Sequence, residues 1–383
     1  MEPSGYNGEK TMRLIVTANL SSNILSRKNL LSALQKDGWT ISAAGCIDGG
    51  TEELVKMGID FVELPMENKG TGIFSDLKTF ASFFTMYRKI KPDAVLHYNS
   101  KPDIYGTLAA SMLGIRSISN ITGLGTVYVG PDRLVRKIVN MLYRIAFLGK
   151  KSYVFFQNSE DKDLFLQLKI VPQNRCSVLP GSGVDIQSYA PVDATKGAEE
   201  PTHFLFASRL VIAKGIREFI EAAGIVKQTH ENAVFDIIGE MLDYESFIPR
   251  EELEAVLSTG LVAYHGNAQG SRKWLETADC VVLPSYYREG VPRILLEGAA
   301  MGKPLIAADS IGTREPVSDG INGYLCEPAS GKDLARCMLD FLKLTPDERR
   351  KMGTESRKVA VSRFSDEIVS KKYLEILVQG RNA

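Results

Sequence analysis

The chain has 383 residues, more than one hydrophobic core ordinarily supports, so two domains of somewhat under about 200 residues each are expected. Hydrophobic residues make up 44% and charged residues 24%, which excludes a disordered or fibrous chain. A net charge of zero argues against nucleic acid as the partner.

The opening Met1-Glu2-Pro3-Ser4-Gly5 is polar and acidic. No later stretch keeps about 18 apolar residues free of charge, so neither a signal peptide nor a transmembrane helix is expected. The cysteines Cys46, Cys176, Cys280, Cys326 and Cys337 are scattered. They lack the paired spacing of a zinc site or a disulfide framework. A cytoplasmic setting fits, and no metal site is expected. Charge is uneven along the chain: residues 1–190 hold 22 Lys and Arg against 17 Asp and Glu, the remainder 24 against 29. Much of the basic excess lies between Arg116 and Ser152, where seven basic residues meet one acid, Asp132. Such a stretch suits an anionic partner.

Short β-branched runs alternate with helical patterns from the start: Leu14-Ile15-Val16, a helix near Ser26–Lys36, Thr40-Ile41-Ser42 and Phe61–Leu64. The βαβ rhythm of a parallel sheet continues through a helix around Phe74–Lys89, strands at Ala94–His97, Ser117–Ile121 and Tyr153–Phe156, and a helix near Ile104–Leu113. We expect a loose tail over residues 1–11 and a first α/β domain over 12–190. Residues 191–201 are small, polar and bracketed by Pro191 and Pro201, and read as a linker. A second α/β series over 202–364 takes its strands from His203–Ala207, Val234–Ile238, Leu261–Tyr264, Val281–Leu283 and Leu305–Ala307. A last helix lies within 365–383. Open parallel sheets bind ligands at the carboxyl ends of their strands, so two such domains define a cleft between two rows of loops.

The most informative stretch runs from Leu283-Pro284-Ser285 through Glu289-Gly290-Val291-Pro292-Arg293 to Glu297. It reads as strand, loop and helix. Pro292 suits a helix's first turn, which leaves the N–H groups around Gly290, Val291 and Arg293 to point into the cleft as a diphosphate site. Glu289 and Glu297 then offer carboxylates at two depths, suited to vicinal sugar hydroxyls. An arbitrary pair of glutamates would more often be exposed loop and helix-surface residues; the Gly-Val-Pro between these two lowers that reading.

Glu289 and Glu297 eight apart after Leu-Pro-Ser, followed by Gly302-Lys303-Pro304-Leu305-Ile306-Ala307, resemble the donor-site signature of the retaining GT-B glycosyltransferases of family four. Ala207-Ser208-Arg209-Leu210 with Lys214-Gly215 resembles the arginine and lysine pair that grips the donor diphosphate there. Glu315, Asp319 and Asn322-Gly323 resemble a further family turn, and Gly181–Asp185 its interdomain Gly-Val-Asp element. The resemblance implies two Rossmann-like domains facing across a cleft, with a nucleotide diphosphate sugar, UDP-linked by this prior, as donor and no cofactor or metal. Glu289, Arg209 and Lys214 are then catalytic, and Glu297 and Gly290–Arg293 bind the donor. It also implies that the final helix crosses back onto the first domain.

Within the family, His97–Gly106 and Ile121–Tyr128 look most like enzymes that extend capsule, lipopolysaccharide or undecaprenyl-diphosphate-linked glycans. Arg27, His97, Lys101, Thr122 and Gly123 are thereby candidates for the acceptor side or the cleft. The chain departs from the family at Thr122, where many relatives have a histidine touching the donor sugar. Retaining transfer with front-face attack lets the leaving phosphate accept the acceptor proton, so no protein base is required. A lone His97 is more often structural.

The segment Arg133–Leu148 is amphipathic, with Arg133, Lys137, Asn140 and Arg144 on one side and Leu134, Ile138, Met141, Leu142 and Ile145 on the other. Its plain reading is a surface helix packed on the core by its apolar side. Its sharper reading, extended by Lys150 and Lys151, is peripheral contact of 133–151 with an anionic membrane on the inner face of the plasma membrane, or with a diphosphate-linked acceptor. Two other classes share features with this one: a nucleotide-sugar 2-epimerase of the same fold, separable by acceptor dependence, and a non-catalytic nucleotide-sugar binding protein. A dehydrogenase is disfavoured because Asn19-Leu20-Ser21-Ser22-Asn23 replaces the glycine-rich fingerprint. Asp161-Lys162-Asp163 has the spelling of a metal-binding Asp-x-Asp but sits at a predicted helix start, where acids favour the dipole.

Overall fold

The computed structural model describes residues 11–379 apart from 65, 67–71, 126, 127, 129–131, 193–199, 243, 245, 268 and 269. Nearly all of the predicted tail, and most of the predicted linker, lie outside the described residues. The first sheet contains β1 Met12–Leu20, β2 Trp39–Cys46, β3 Asp60–Glu63, β4 Ala94–Tyr98, β5 Arg116–Ile121, β6 Ser152–Phe156 and β7 Cys176–Val178. They lie in the order β3-β2-β1-β4-β5-β6-β7 with every pair parallel. The second contains β8 His203–Ala207, β9 Val234–Ile238, β10 Ala263–Tyr264, β11 Cys280–Leu283, β12 Leu305–Ala308 and β13 Gly323–Cys326, in the order β10-β9-β8-β11-β12-β13 and again parallel.

The central strands are uniformly apolar because helices cover both faces of a parallel sheet. Leu14, Ile15 and Val16 of β1 and Val281, Val282 and Leu283 of β11 are all buried. Strand order reverses between β1 and β4 and between β8 and β11. Those are the points where an open α/β sheet leaves a crevice at its carboxyl edge.

The structure adds two strands to the sequence reading. β7 has three residues and pairs only at the sheet edge, too short for an alternation to register. β13 lies where Asn322-Gly323 suggested a turn, and Gly323 lets the strand close on β12. A Cβ there would stand 1.8 Å from the Leu305 carbonyl oxygen. The predicted helix at Ser26–Lys36 is Lys28–Lys36, and a separate short helix, Ser21–Leu25, precedes it.

The chain crosses between the sheets near Val184 and again near Ser365, and the two crossings pair in a parallel bridge: Val184 N–H donates to the Phe364 carbonyl at 2.9 Å and Asp366 N–H to the Val184 carbonyl at 3.1 Å. The helix Asp366–Gln379 then packs on the first sheet. Its Val369, Tyr373 and Leu377 join the core formed by Leu14, Val16, Leu96 and Phe155. The Tyr98 hydroxyl donates to the Tyr373 hydroxyl at 3.1 Å, and that hydroxyl donates to Asn120 Oδ1.

Candidate active site

The loop after β8 forms a 3₁₀ turn, Ile212–Lys214, that ends on Gly215 at φ 87°. A left-handed glycine is required there, because a Cβ would also meet the Pro284 carbonyl oxygen at 2.4 Å. This turn aims Lys214 across the switch point at Glu289, and the two form an ion pair with both side chains largely buried. Ser285 Oγ donates to the other Glu289 oxygen at 2.7 Å. The Lys214 ammonium also lies 5.4 Å from the centre of the Tyr287 ring.

Glu297 is buried in the helix Arg293–Ala300. It accepts hydrogen bonds from Ser271 Oγ at 2.5 Å and from Arg293 Nη2 at 3.1 Å. Tyr189 lies beside it, its phenol pushed up by burial and then by the Glu297 charge. Two carboxylates, a lysine and an arginine thus gather where strand order reverses. Ser285 belongs to the Leu-Pro-Ser motif, whereas Ser271 and Tyr189 carried no motif in the sequence and reach the site from two other loops.

The loop N–H groups differ from the sequence reading. Pro292 occupies the N-cap rather than the first turn. The Gly290 N–H donates to the Thr122 carbonyl at 2.7 Å and the Val291 N–H to Gln157 Oε1 at 3.2 Å. They are spent on the facing domain because that domain closes directly onto the loop. Gly123, at φ 120°, would carry a Cβ only 2.5 Å from Glu289 Cα. Arg209 is exposed, and its side chain makes no ion pair or hydrogen bond among the described residues.

His97 is a correction to the cleft assignment. It is fully buried among Phe83, Tyr87 and Gly106, with Nδ1 2.7 Å from Thr17 Oγ1. Burial lowers its pKa to about 3. The strand end that carries it points into the domain's own core. Lys101 is paired with Asp76 at 3.2 Å beside a cavity of about 120 Å³ lined by Leu124, Tyr128 and Leu142. Arg27 stacks on the Tyr98 ring at 3.9 Å. With Arg293, Arg272 and Asp185 it lines a cavity of about 400 Å³ where the two domains meet.

Asp161 lies in the first turn of the helix Ser159–Gln167, whose N-cap is Asn158. It is occupied by an arginine of the other domain, described below.

The helix Arg133–Ala146 also differs from its plain reading. Tyr143 and Ala146 anchor it, whereas Leu134, Ile138, Met141 and Ile145 remain 42–67% exposed. Most of the side assigned to the core faces outward.

Residues 193–359 match the family model described as glycosyl transferases group 1. With its paired parallel sheets the chain has the GT-B fold, and this match covers somewhat less than half of it. It is 24% identical over 344 residues to the N,N'-diacetylbacillosaminyl-diphospho-undecaprenol alpha-1,3-N-acetylgalactosaminyltransferase of Campylobacter jejuni, covering 86% of this chain and 88% of that one. It is 25% identical over 276 residues to the UDP-Gal:alpha-D-GlcNAc-diphosphoundecaprenol alpha-1,3-galactosyltransferase of Escherichia coli, covering 69% and 70%. Among solved structures it resembles a glycosyltransferase from Rickettsia africae, with a TM-score of 0.78, 20% identity and coverage of 98% and 99%. Anabaena Alr3699/HepE in complex with UDP and glucose gives 0.77, 17% identity and coverage of 96% and 100%.

Proposed function

We propose that the chain transfers a hexose or N-acetylhexosamine, with retention and without a metal, from a UDP-sugar to a saccharide carried on undecaprenyl diphosphate. The observation that carries this reading is the convergence of Lys214, Glu289, Arg293 and Glu297 on the β8–β11 switch point. Cations balance a diphosphate, and carboxylates accept from ribose and sugar hydroxyls. In the donor complex, Lys214 and the exposed Arg209 neutralise the diphosphate, Glu297 holds the ribose and Glu289 turns to the sugar. The bond from the anomeric carbon to the phosphate oxygen breaks as the acceptor oxygen attacks from the same face. The acceptor's proton passes to the departing phosphate, leaving UDP and the lengthened glycan. The relatives named for diphosphoundecaprenol-linked acceptors support the acceptor class.

No helix among the described residues is long and apolar enough to cross a membrane. The outward row Leu134, Ile138, Met141 and Ile145 is flanked by Arg133, Lys137, Arg144 and Lys150. This is the pattern of a helix lying in an anionic interface, and we assign it to the inner leaflet that carries the acceptor. Ile138→Glu is expected to abolish sedimentation with phosphatidylglycerol vesicles; unchanged sedimentation removes this assignment.

The deciding experiment on donor class is thermal stabilisation by UDP, GDP, ADP and UDP-sugars. A ligand at 100 times its Kd adds about 2.7 kcal/mol. Stabilisation confined to uridine compounds and cut to about half in Glu297→Ala is the expected result. A folded protein that responds to none of them overturns the reading.

A further inference from the structure

The loop that carries Glu289 leaves a strand of the second domain, yet its hydrogen bonds run to the first. Gly125 N–H donates to the Arg288 carbonyl at 2.9 Å and Gly290 N–H to the Thr122 carbonyl at 2.7 Å. The two loops therefore pair backbone to backbone on either side of Glu289. Val291 N–H adds its bond to Gln157 Oε1. On the side-chain level, Arg288 Nε and Nη2 donate to Asp161 Oδ1 at 2.9 and 2.7 Å.

Asp161 itself is fully buried. Its second oxygen accepts from Asn158 Nδ2 at 3.1 Å, and its N–H donates to Asn158 Oδ1 at 2.7 Å. A first-turn acid serves the helix dipole equally well at the surface. Burying this one against a cation from the other domain costs desolvation that the Coulomb attraction roughly offsets, so such a pair selects an arrangement more than it adds stability. Here the arrangement is the docking of residues 288–291. Glycine is demanded on both sides of the seam: a Cβ at Gly123 would strike Glu289 Cα, and one at Gly290 would stand 2.0 Å from Gln157 Oε1. If the domains part, all four contacts break together. Glu289 then keeps only its own domain's Lys214 and Ser285.

We propose that Asp161 is a positioning residue: through Arg288 it straps the 288–291 loop to the first domain, so that Glu289 takes its working orientation only when the domains are closed. The proposal rests on the reading of Glu289 given above. Asp161→Asn preserves volume and the bonds to Asn158 while removing the charge that holds Arg288.

Two measurements test it. In amide hydrogen exchange, the N–H groups of Gly125, Gly290 and Val291 should exchange about tenfold faster in Asp161→Asn, with strand β11 unchanged. With whichever UDP-sugar stabilises the wild type, kcat for UDP release should fall about tenfold or more while the donor KM stays within about threefold, the pattern of lost orientation rather than lost binding. Arg288→Gln should behave alike, and the double variant should lose no more than either single one. Glu160→Gln, which removes only the more exposed pair with Arg314, should leave both readouts at wild-type values.

Unchanged exchange at Gly125 and Gly290, a loss expressed in KM alone, or fully additive single variants would each overturn the strap. A wild type that neither binds UDP nor turns over a UDP-sugar refutes the functional reading instead. The exchange arm then decides the strap alone.

Discussion

The two domains repeat one architecture and use its switch point in opposite ways. At the end of β4, the first domain turns His97 and Tyr98 inward: His97 packs beneath Gly106, and Tyr98 is covered by Arg27 and by Tyr373 of the terminal helix. At the ends of β8 and β11, the second domain leaves its loops free to deliver Lys214, Glu289 and, one turn into the next helix, Glu297. One switch point has become core and the other presents charge. The same topology therefore does not locate chemistry until the loop residues are known.

The sharpest way to break this contrast is at Glu289. Glu289→Gln should lower turnover about 10²–10³-fold, the scale of a lost transition-state contact. UDP affinity, measured calorimetrically, should stay within about threefold. Loss of binding in place of turnover would make Glu289 a donor-holding residue only. Glu297→Ala should do the reverse, weakening UDP about tenfold, or about 1.4 kcal/mol. If affinity survives, the buried carboxylate between Ser271 and Arg293 is a packing device of the Arg293–Ala300 helix.

What the sequence revealed follows the same division. The charged groups of the second domain were legible because they sit in short contiguous segments: Lys214 follows a strand by seven residues, and Glu289 and Glu297 flank a single loop. The first domain was legible as strands and helices but not as a site. Whether a histidine at a strand end faces a cleft or a core depends on the aromatic helix Ile73–Ile90 and on Gly106, neither of which is its neighbour in sequence. Of the two readings of the row Leu134–Ile145, packing on the core does not hold, for a related reason. Periodicity shows that a helix has an apolar side but not what covers it. Asp161 and Arg288 were invisible as a pair because 127 positions separate them.

A stability measurement tests whether the first domain's switch point is core. The Tyr373 hydroxyl links Tyr98 to Asn120, and all three are buried. Tyr373→Phe leaves Asn120 Oδ1 without that donor and should cost about 2 kcal/mol in denaturant unfolding. Donor affinity should not change. A cost near zero would mean that the terminal helix is not docked by this network.

The smallest effect at mildly acidic pH concerns His97. Burial holds its folded pKa at about 3, below the ordinary 6.5. Between those values the unfolded chain binds a proton that the folded chain does not, so stability is complete above about pH 6.5 and declines as pH falls toward 3. At pH 5.5 the loss attributable to this one ring is on the order of 1 kcal/mol, rising by a similar amount for each further unit. Carboxylates add their own acid dependence, so the test is a difference of slopes: unfolding free energy of the wild type and of His97→Asn between pH 7 and 5. The variant carries its own cavity cost at every pH, but its curve should be the flatter of the two. Parallel curves would mean that the ring takes up its proton in the folded state, which requires water or a counter-charge at Nε2 and would return His97 to the cleft side of the comparison.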